Sequence, residues 1–392
     1  MGICLFTMTL EAAAEGIRGF GAEAAAEFAD AVDREARFPI EAFSELRRAG
    51  ALGMLVPTEL GGPGFTITEV AREVTELAQS CGSSGLILAM HSIQVAILVR
   101  HAPSETLERV VPQLLRGELL LANANSEIGL YGDRRNSICA LEPTDTGFRL
   151  EKRGSTISYG EYADGVLATA RRSAESPAHE QVFAICLRPD MTLEPLGEWD
   201  TLGMRGTCSR AGLLTAELSP ELVLDNYADI FVRTSLSASA VLLGSVWLGL
   251  AEAAARKAHE TVRRTGRKLA AAGPITQPPL AAVRLAELGV VLHQLREVVS
   301  AGAAYNEQTW DSEAVNEWRF SSRMDNFKVA SSTLLQEVVH RASQICGMAG
   351  FQNGTPSSLG RIARDAAAAP LMVSNDRTLE AVARTLLVRK EL

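Results

Sequence analysis

The chain has 392 residues, 47% hydrophobic and 22% charged, the composition of an ordinary globular protein with room for two or three domains. Its net charge is −9 with acidic and basic residues interleaved, so it lacks the basic tract by which proteins hold nucleic acid. Six widely spaced cysteines form no C-x-x-C pair, which argues against a disulfide frame or a zinc site and for reduced, buried thiols. The first eight residues, Met1 to Met8, are briefly apolar. They have no basic n-region and no full h-region, so neither a signal peptide nor a membrane span is expected, and the cytoplasm is the expected location.

Alanine runs such as Ala24–Ala26, Ala253–Ala255 and Ala366–Ala369 favour helix, because alanine loses no side-chain entropy there. Over residues 1–117 the pattern is helical. Ile67, Val70, Ala71, Val74, Leu77 and Ala78 share one face, with Thr66 or Thr68 as a cap after the turn-rich Glu59–Gly64. Over 118–230 the helical period gives way to short β-prone runs at Gly147–Lys152, Thr156–Tyr159, Val166–Ala170, Gln181–Leu187 and Leu213–Leu218, which reads as an antiparallel β domain. Over 231–392 long helices return. Leu285, Leu288, Leu292 and Leu295 form one stripe; Phe320, Met324, Phe327, Leu334, Val338, Ala342 and Ile345 form another. With the breaker Gly273–Pro279 between helices, this predicts an up-down bundle.

The sequence has no G-x-G-x-x-G after a strand, no G-x-x-x-x-G-K, no H-E-x-x-H and no G-x-S-x-G. Its six histidines show no metal-ligand spacing. Nicotinamide Rossmann enzymes, P-loop NTPases, zinc hydrolases and serine hydrolases all lose ground together.

Five segments in a fixed order carry a resemblance. They are Val56–Gly64, Asn125-Ser-Glu-Ile-Gly-Leu-Tyr-Gly-Asp133, Thr156-Ile-Ser-Tyr-Gly-Glu-Tyr-Ala-Asp164, Trp199-Asp-Thr-Leu-Gly-Met-Arg-Gly-Thr-Cys-Ser209, and Gln344-Ile-Cys-Gly-Met-Ala-Gly-Phe351 followed by Arg364-Asp365. Together they resemble the acyl-CoA dehydrogenase family over nearly the whole chain. The resemblance implies a mainly α fold: an N-terminal helical domain, a middle antiparallel β-barrel-like domain and a C-terminal four-helix bundle. It also implies FAD as cofactor. Asn123, Asn125, Ser126 and Thr156 would then lie at the flavin, with Ser158 at N5. Asn375 and Arg377 would help hold the cofactor, and Gln344, Gly347 and Met348 would reach the FAD of a neighbouring subunit in a homodimer or homotetramer. The same residues have a plainer reading, as turn, strand and helix-end groups bonded to backbone.

Members of the family remove an acyl α-proton with a carboxylate while hydride passes to N5. Counted from Arg364-Asp365, the usual position of that base is Val373; a second position used by some members falls in Leu236–Val241, which contains no acid. Asp376 is the nearest candidate base, with Glu380 more distant, and Asp376 equally suits the start of a helix. His91 and Gln94, three apart on one helical face, are candidate floor groups for a polar acyl pocket, with Tyr131, Gly132 and Val373 at its entrance; His91 has the alternative of a helix–helix contact. The leading expectation is dehydrogenation of a small acyl thioester carried on CoA or on an acyl- or peptidyl-carrier protein, with electron-transfer flavoprotein or oxygen as acceptor. The alternatives are a flavin monooxygenase on the same fold, which needs no base, and a non-catalytic homologue.

Overall fold

A computed structural model describes residues 19–130, 136–272 and 279–389. The first helices are α1 (Ala22–Glu35), α2 (Ile40–Arg48), α3 (Ile67–Ser80), α4 (Gly82–His101) and α5 (Ser104–Leu115). Helix α3 starts where its sequence predicts. Thr66 Oγ1 accepts from Glu69 N and the Glu69 carboxylate accepts from Thr66 N, a reciprocal pair that satisfies two free amides. Its predicted face, Ile67 to Ala78, is buried. Helix α4 is apolar on every side and is 89% buried over its most hydrophobic stretch, a core helix rather than a surface one. Gly85 lets α3 and α4 meet closely, since a Cβ there would stand 2.5 Å from that of Ala78.

The middle region carries β1 (Leu121–Ala124), β2 (Glu142–Pro143), β3 (Phe148–Gly154), β4 (Gly165–Arg171), β5 (Gln181–Leu187), β6 (Met191–Pro195), β7 (Gly212–Leu218) and β8 (Val223–Leu224). They form two four-stranded sheets, in the orders β1-β4-β5-β8 and β2-β3-β7-β6. Two sequence expectations are corrected here. The β1–β4 pair is parallel, Leu121 opposite Gly165 and Ala124 opposite Ala168, so the domain is not wholly antiparallel. Thr156–Tyr159 is not a strand: Tyr159 sits at φ 42, and Ile157 N and Tyr159 N donate instead to the Arg210 and Thr207 carbonyls of another loop.

The C-terminal helices are α6 (Leu236–Ala272), α7 (Leu280–Thr309), α8 (Trp318–Phe351), α9 (Gly360–Ala367) and α10 (Asn375–Val388). Helices α6, α7 and α8 pack on one another, and α10 lies on α8. The Phe327 ring of α8 reaches both partners at glycines, where a Cβ would stand 2.9 Å (Gly244) and 2.2 Å (Gly302) from it. The breaker residues 273–278 lie outside the described residues.

The Trp199–Ser209 segment joins the three parts. Met204 N donates to Asp365 Oδ1 at 2.6 Å and Arg205 Nε to the Asp33 carbonyl at 2.8 Å. Arg361 bonds Asp30, and Arg364 bonds Asp33. Gly203 lies so close to α9 that a Cβ would fall 2.0 Å from the Arg364 carbonyl oxygen.

Candidate functional site

Two loops at one end of the β region bring the predicted flavin-edge residues together. Asn123 lies on β1, which ends just before Asn125 and Ser126. Ser126 Oγ donates to the Thr156 carbonyl at 3.2 Å, tying the first loop to the second, on which Thr156 is exposed and Ser158 buried. The first loop is held from behind by Glu127. Its carboxylate accepts from Lys152 Nζ at 2.5 Å, from Ile138 N and Cys139 N at 2.8 and 3.0 Å, and from the Ser137 hydroxyl. Burial pushes the Glu127 carboxyl up, but Lys152 and these donors outweigh it and hold the group below the usual carboxylate range. Lys152 also donates to Thr169 O at 2.6 Å, so the buried pair is fully hydrogen-bonded.

Two polar groups at this edge are incomplete in complementary senses. Asn125 Oδ1 is buried with no hydrogen-bond donor among the described residues. Ser158 Oγ accepts a hydrogen bond at 2.8 Å from Ser209, and no described residue accepts its own proton. An isoalloxazine edge presents a donor at N3 and, when oxidised, an acceptor at N5, which is the complement of these two groups. The residues present therefore fit a flavin.

Other predicted groups are placed elsewhere. His91 is corrected from pocket floor to core. It is 1% exposed; Nε2 bonds the Leu52 carbonyl at 2.9 Å, and Nδ1 accepts from Leu121 N at 3.0 Å. With both ring nitrogens engaged it has none for a ligand, and burial drives it down to about 4, keeping it neutral. Gln94 is also buried. Its amide donates to Met90 O, and its Oε1 has no partner among the described residues. Asp376 is exposed in the first turn of α10, behind the cap Ser374, whose Oγ accepts from Arg377 N at 3.5 Å. That is the placement of a helix-start carboxylate rather than of a base in a closed pocket. Glu380 is exposed and bonds Arg384 at 2.5 Å.

Val373 sits at φ 48, a left-handed conformation that strains a β-branched residue. Its carbonyl accepts from Lys328 Nζ at 2.6 Å. Asn375, expected at the cofactor, anchors this loop: Oδ1 accepts from Lys328 at 2.6 Å, and Nδ2 donates to Ser332 Oγ at 3.0 Å. Arg377 is exposed on the same turn. Gln344 and Met348 are exposed at the end of α8, where Gly347 breaks the helix with φ 56 and ψ −145; among the described residues no hydrogen bond joins them to the Ser126–Ser158 loops. Tyr131 and Gly132 lie outside the described residues.

Sequence reasoning missed Lys152, Lys328 and Ser209. The signal for Lys152 was available, since Leu150, Lys152 and Gly154 alternate inward along β3. Lys328 falls one residue after Phe327 in a recognised helical stripe, and only the fold reveals the loop above it.

Among known proteins, residues 7–118 match the acyl-CoA dehydrogenase N-terminal domain, and residues 230–386 match the acyl-CoA dehydrogenase C-terminal domain. An amino sugar nitrososynthase of Streptomyces peucetius, DnmZ, is 25% identical over 87% of this chain and 84% of its own length. The structure resembles butyryl-CoA dehydrogenase from Megasphaera elsdenii, with a TM-score of 0.81 over 99% of this chain and 100% of that one at 20% identity. It also resembles the dibenzothiophene monooxygenase TdsC from Paenibacillus sp. A11-2, with a TM-score of 0.76 over 98% and 97% at 21% identity.

Proposed function

Since this chain belongs to the acyl-CoA dehydrogenase family, we propose that it is a flavin-dependent oxidoreductase whose reaction uses no carboxylate base: a monooxygenase acting on a small polar molecule. One observation carries the reading. Val373 occupies the usual base position, Leu236–Val241 contains no acid, and the nearest acids, Asp376 and Glu380, are exposed on α10.

The flavin, as FAD, would supply the two-electron chemistry by which one atom of dioxygen enters the substrate and the other leaves as water, with the electrons drawn from a separate reductase. The chain's own part is to hold and orient. Asn125 and Ser126 would hold the pyrimidine edge and Ser158 the N5 edge, and the Glu127–Lys152 pair braces their loop.

A polar substrate suits the unpaired groups carried by α4 and α6. These helices run antiparallel. Gly82 lies against Leu250, and His101 at the far end bonds Thr234 Oγ1, just ahead of α6, at 2.7 Å. On these two helices four buried polar atoms have no partner among the described residues: Ser84 Oγ and Gln94 Oε1 on α4, Ser237 Oγ and Trp247 Nε1 on α6. Buried polar atoms require partners, and a ligand bearing hydroxyl, amine or carbonyl groups would provide them. The nitrososynthase relative, named for an amino sugar, points the same way. Met348 and Phe351, 71% and 80% exposed beside the Gly347 break, suit a contact with a second copy. The match of both terminal domains to acyl-CoA dehydrogenases favours a second reading, dehydrogenation of an acyl thioester on CoA or a carrier protein with electron-transfer flavoprotein as acceptor.

An anaerobic titration separates the two. The flavin of the purified protein is monitored by visible absorbance as short acyl thioesters are added, and dioxygen is then admitted to chemically reduced protein. The proposal expects no bleaching by any thioester, fast reoxidation by dioxygen, and transfer of oxygen to an amine- or hydroxyl-bearing substrate. Bleaching by a thioester would overturn it in favour of the dehydrogenase.

A further inference from the structure

The Ser158 hydroxyl is the outer member of a buried chain. Ser209 Oγ donates to Ser158 Oγ at 2.8 Å, and Thr207 Oγ1 lies 2.7 Å from Ser209 Oγ. Thr207 Oγ1 donates to the Met204 carbonyl at 2.8 Å. The backbones beneath are tied as well, Tyr159 N to Thr207 O at 2.7 Å and Ile157 N to Arg210 O at 2.9 Å. Exposure falls along the chain from 8% at Ser158 to 4% at Ser209 and 1% at Thr207.

Each hydroxyl has one proton to donate. Ser209 donates to Ser158 and Thr207 to Met204 O, and either hydroxyl can donate across the Thr207–Ser209 contact. Ser158 only receives, so its own O–H has no acceptor among the described residues. A buried donor left unpaired costs about 1–3 kcal/mol. The inner members of this chain are satisfied and the outer one is not, which is the arrangement of a group completed from outside.

We infer that Ser209, backed by Thr207, is a positioning residue that sets the polarity of the Ser158 hydroxyl, making it a donor to whatever acceptor enters the cleft. The inference rests on the flavin reading, in which that acceptor is N5. Accepting a hydrogen bond also strengthens a hydroxyl as a donor, by roughly 10–30% per bond. Oxidised isoalloxazine offers a lone pair at N5, whereas the reduced ring offers an N–H. A hydroxyl preset as donor therefore favours the oxidised form, and releasing it makes the bound ring easier to reduce.

The test measures two properties other than turnover: the midpoint potential of the bound flavin and the affinity of apoprotein for oxidised flavin. Ser209→Ala should shift the potential positive and weaken oxidised-flavin binding roughly three- to ten-fold, the span of one hydrogen bond. Ser209→Thr, which keeps the hydroxyl, should restore both, and Thr207→Val should fall between. Ser209→Cys, similar in size and a weak donor, serves if the alanine variant does not fold. If Ser209→Ala matches wild type in both measurements while Ser158→Ala changes them, Ser209 is packing only and the inference is wrong. If Ser158→Ala also changes neither although flavin is bound, Ser158 does not face N5 and the placement of the flavin fails with it.

Discussion

His91 and Asp365 are both fully buried and pull the pH dependence of stability in opposite directions. His91 is neutral until about 4 when folded, against 6.5 ordinarily, because burial disfavours its charged form. Between those values the unfolded chain binds the extra proton, so the His91 contribution to stability rises with pH. Asp365 stays protonated up to about 6, against 3.8 ordinarily, again chiefly by burial. There the folded chain binds the extra proton, so its contribution falls as pH rises through the same window. Each leg amounts to roughly 3 kcal/mol at about 1.4 kcal/mol per unit. Asp365→Asn removes only the falling leg. The melting temperature of that variant should drop more steeply than that of wild type from pH 6.5 to 4; parallel curves would contradict the opposing pair. The role of Asp365 was not legible in the sequence. For His91 the sequence offered both a pocket group and a buried helix contact, and its partners, at Leu52 and Leu121, lie on segments that only folding brings to it.

At the scale of elements, the turn from Ala369 to Asn375 is organised from below by one side chain. Lys328 Nζ donates to Val373 O and Asn375 Oδ1 at 2.6 Å and to Ala369 O at 3.4 Å. Lys328→Met would leave these acceptors without their donor and should cost about 3 kcal/mol in denaturant unfolding. Val373→Gly should cost no more than about 1 kcal/mol despite losing a half-buried side chain, because relief of the left-handed strain, about 1–2 kcal/mol, offsets the lost packing. A much larger loss would mean that the valine side chain itself holds the turn. Elements with a local signal were readable from sequence. The α3 cap and the stripes of α7 and α8 fall where periodicity puts them. Strand β1 was not, because four residues carry too little pattern and its partner β4 begins some forty positions later.

For the molecule as a whole, the junction of α1, the Trp199–Ser209 segment and α9 transmits order between the helical and β parts. Gly203→Ala would force a Cβ into the Arg364 carbonyl and should destabilise by about 3 kcal/mol or more, with loss of the Met204–Asp365 bond. Near-native stability in that variant would show that the segments can part without penalty. The order of the three parts was legible because composition and period change between them. The closeness of their contact was not, since a glycine pressed against a distant carbonyl looks like any loop glycine in sequence.

The parallel pairing of β1 with β4 also bears on how the protein is made. Helices α1 to α5 can begin to form as the chain leaves the ribosome, although α3 and α4 complete their packing only on α6, and α1 its bonds only with Arg361 and Arg364. The Asn125 loop that follows has no place to dock until β4 and β5 have been synthesised. Ser158 gains its hydroxyl partner only with Ser209, and the segment bearing Ser209 is fixed only when Asp365 arrives. At bacterial or eukaryotic elongation rates the interval from Ala124 to Asp365 lasts ~tens of seconds. Capture of the cofactor therefore belongs to the completed polypeptide, and a truncated translation product would carry the helical head without a site to load.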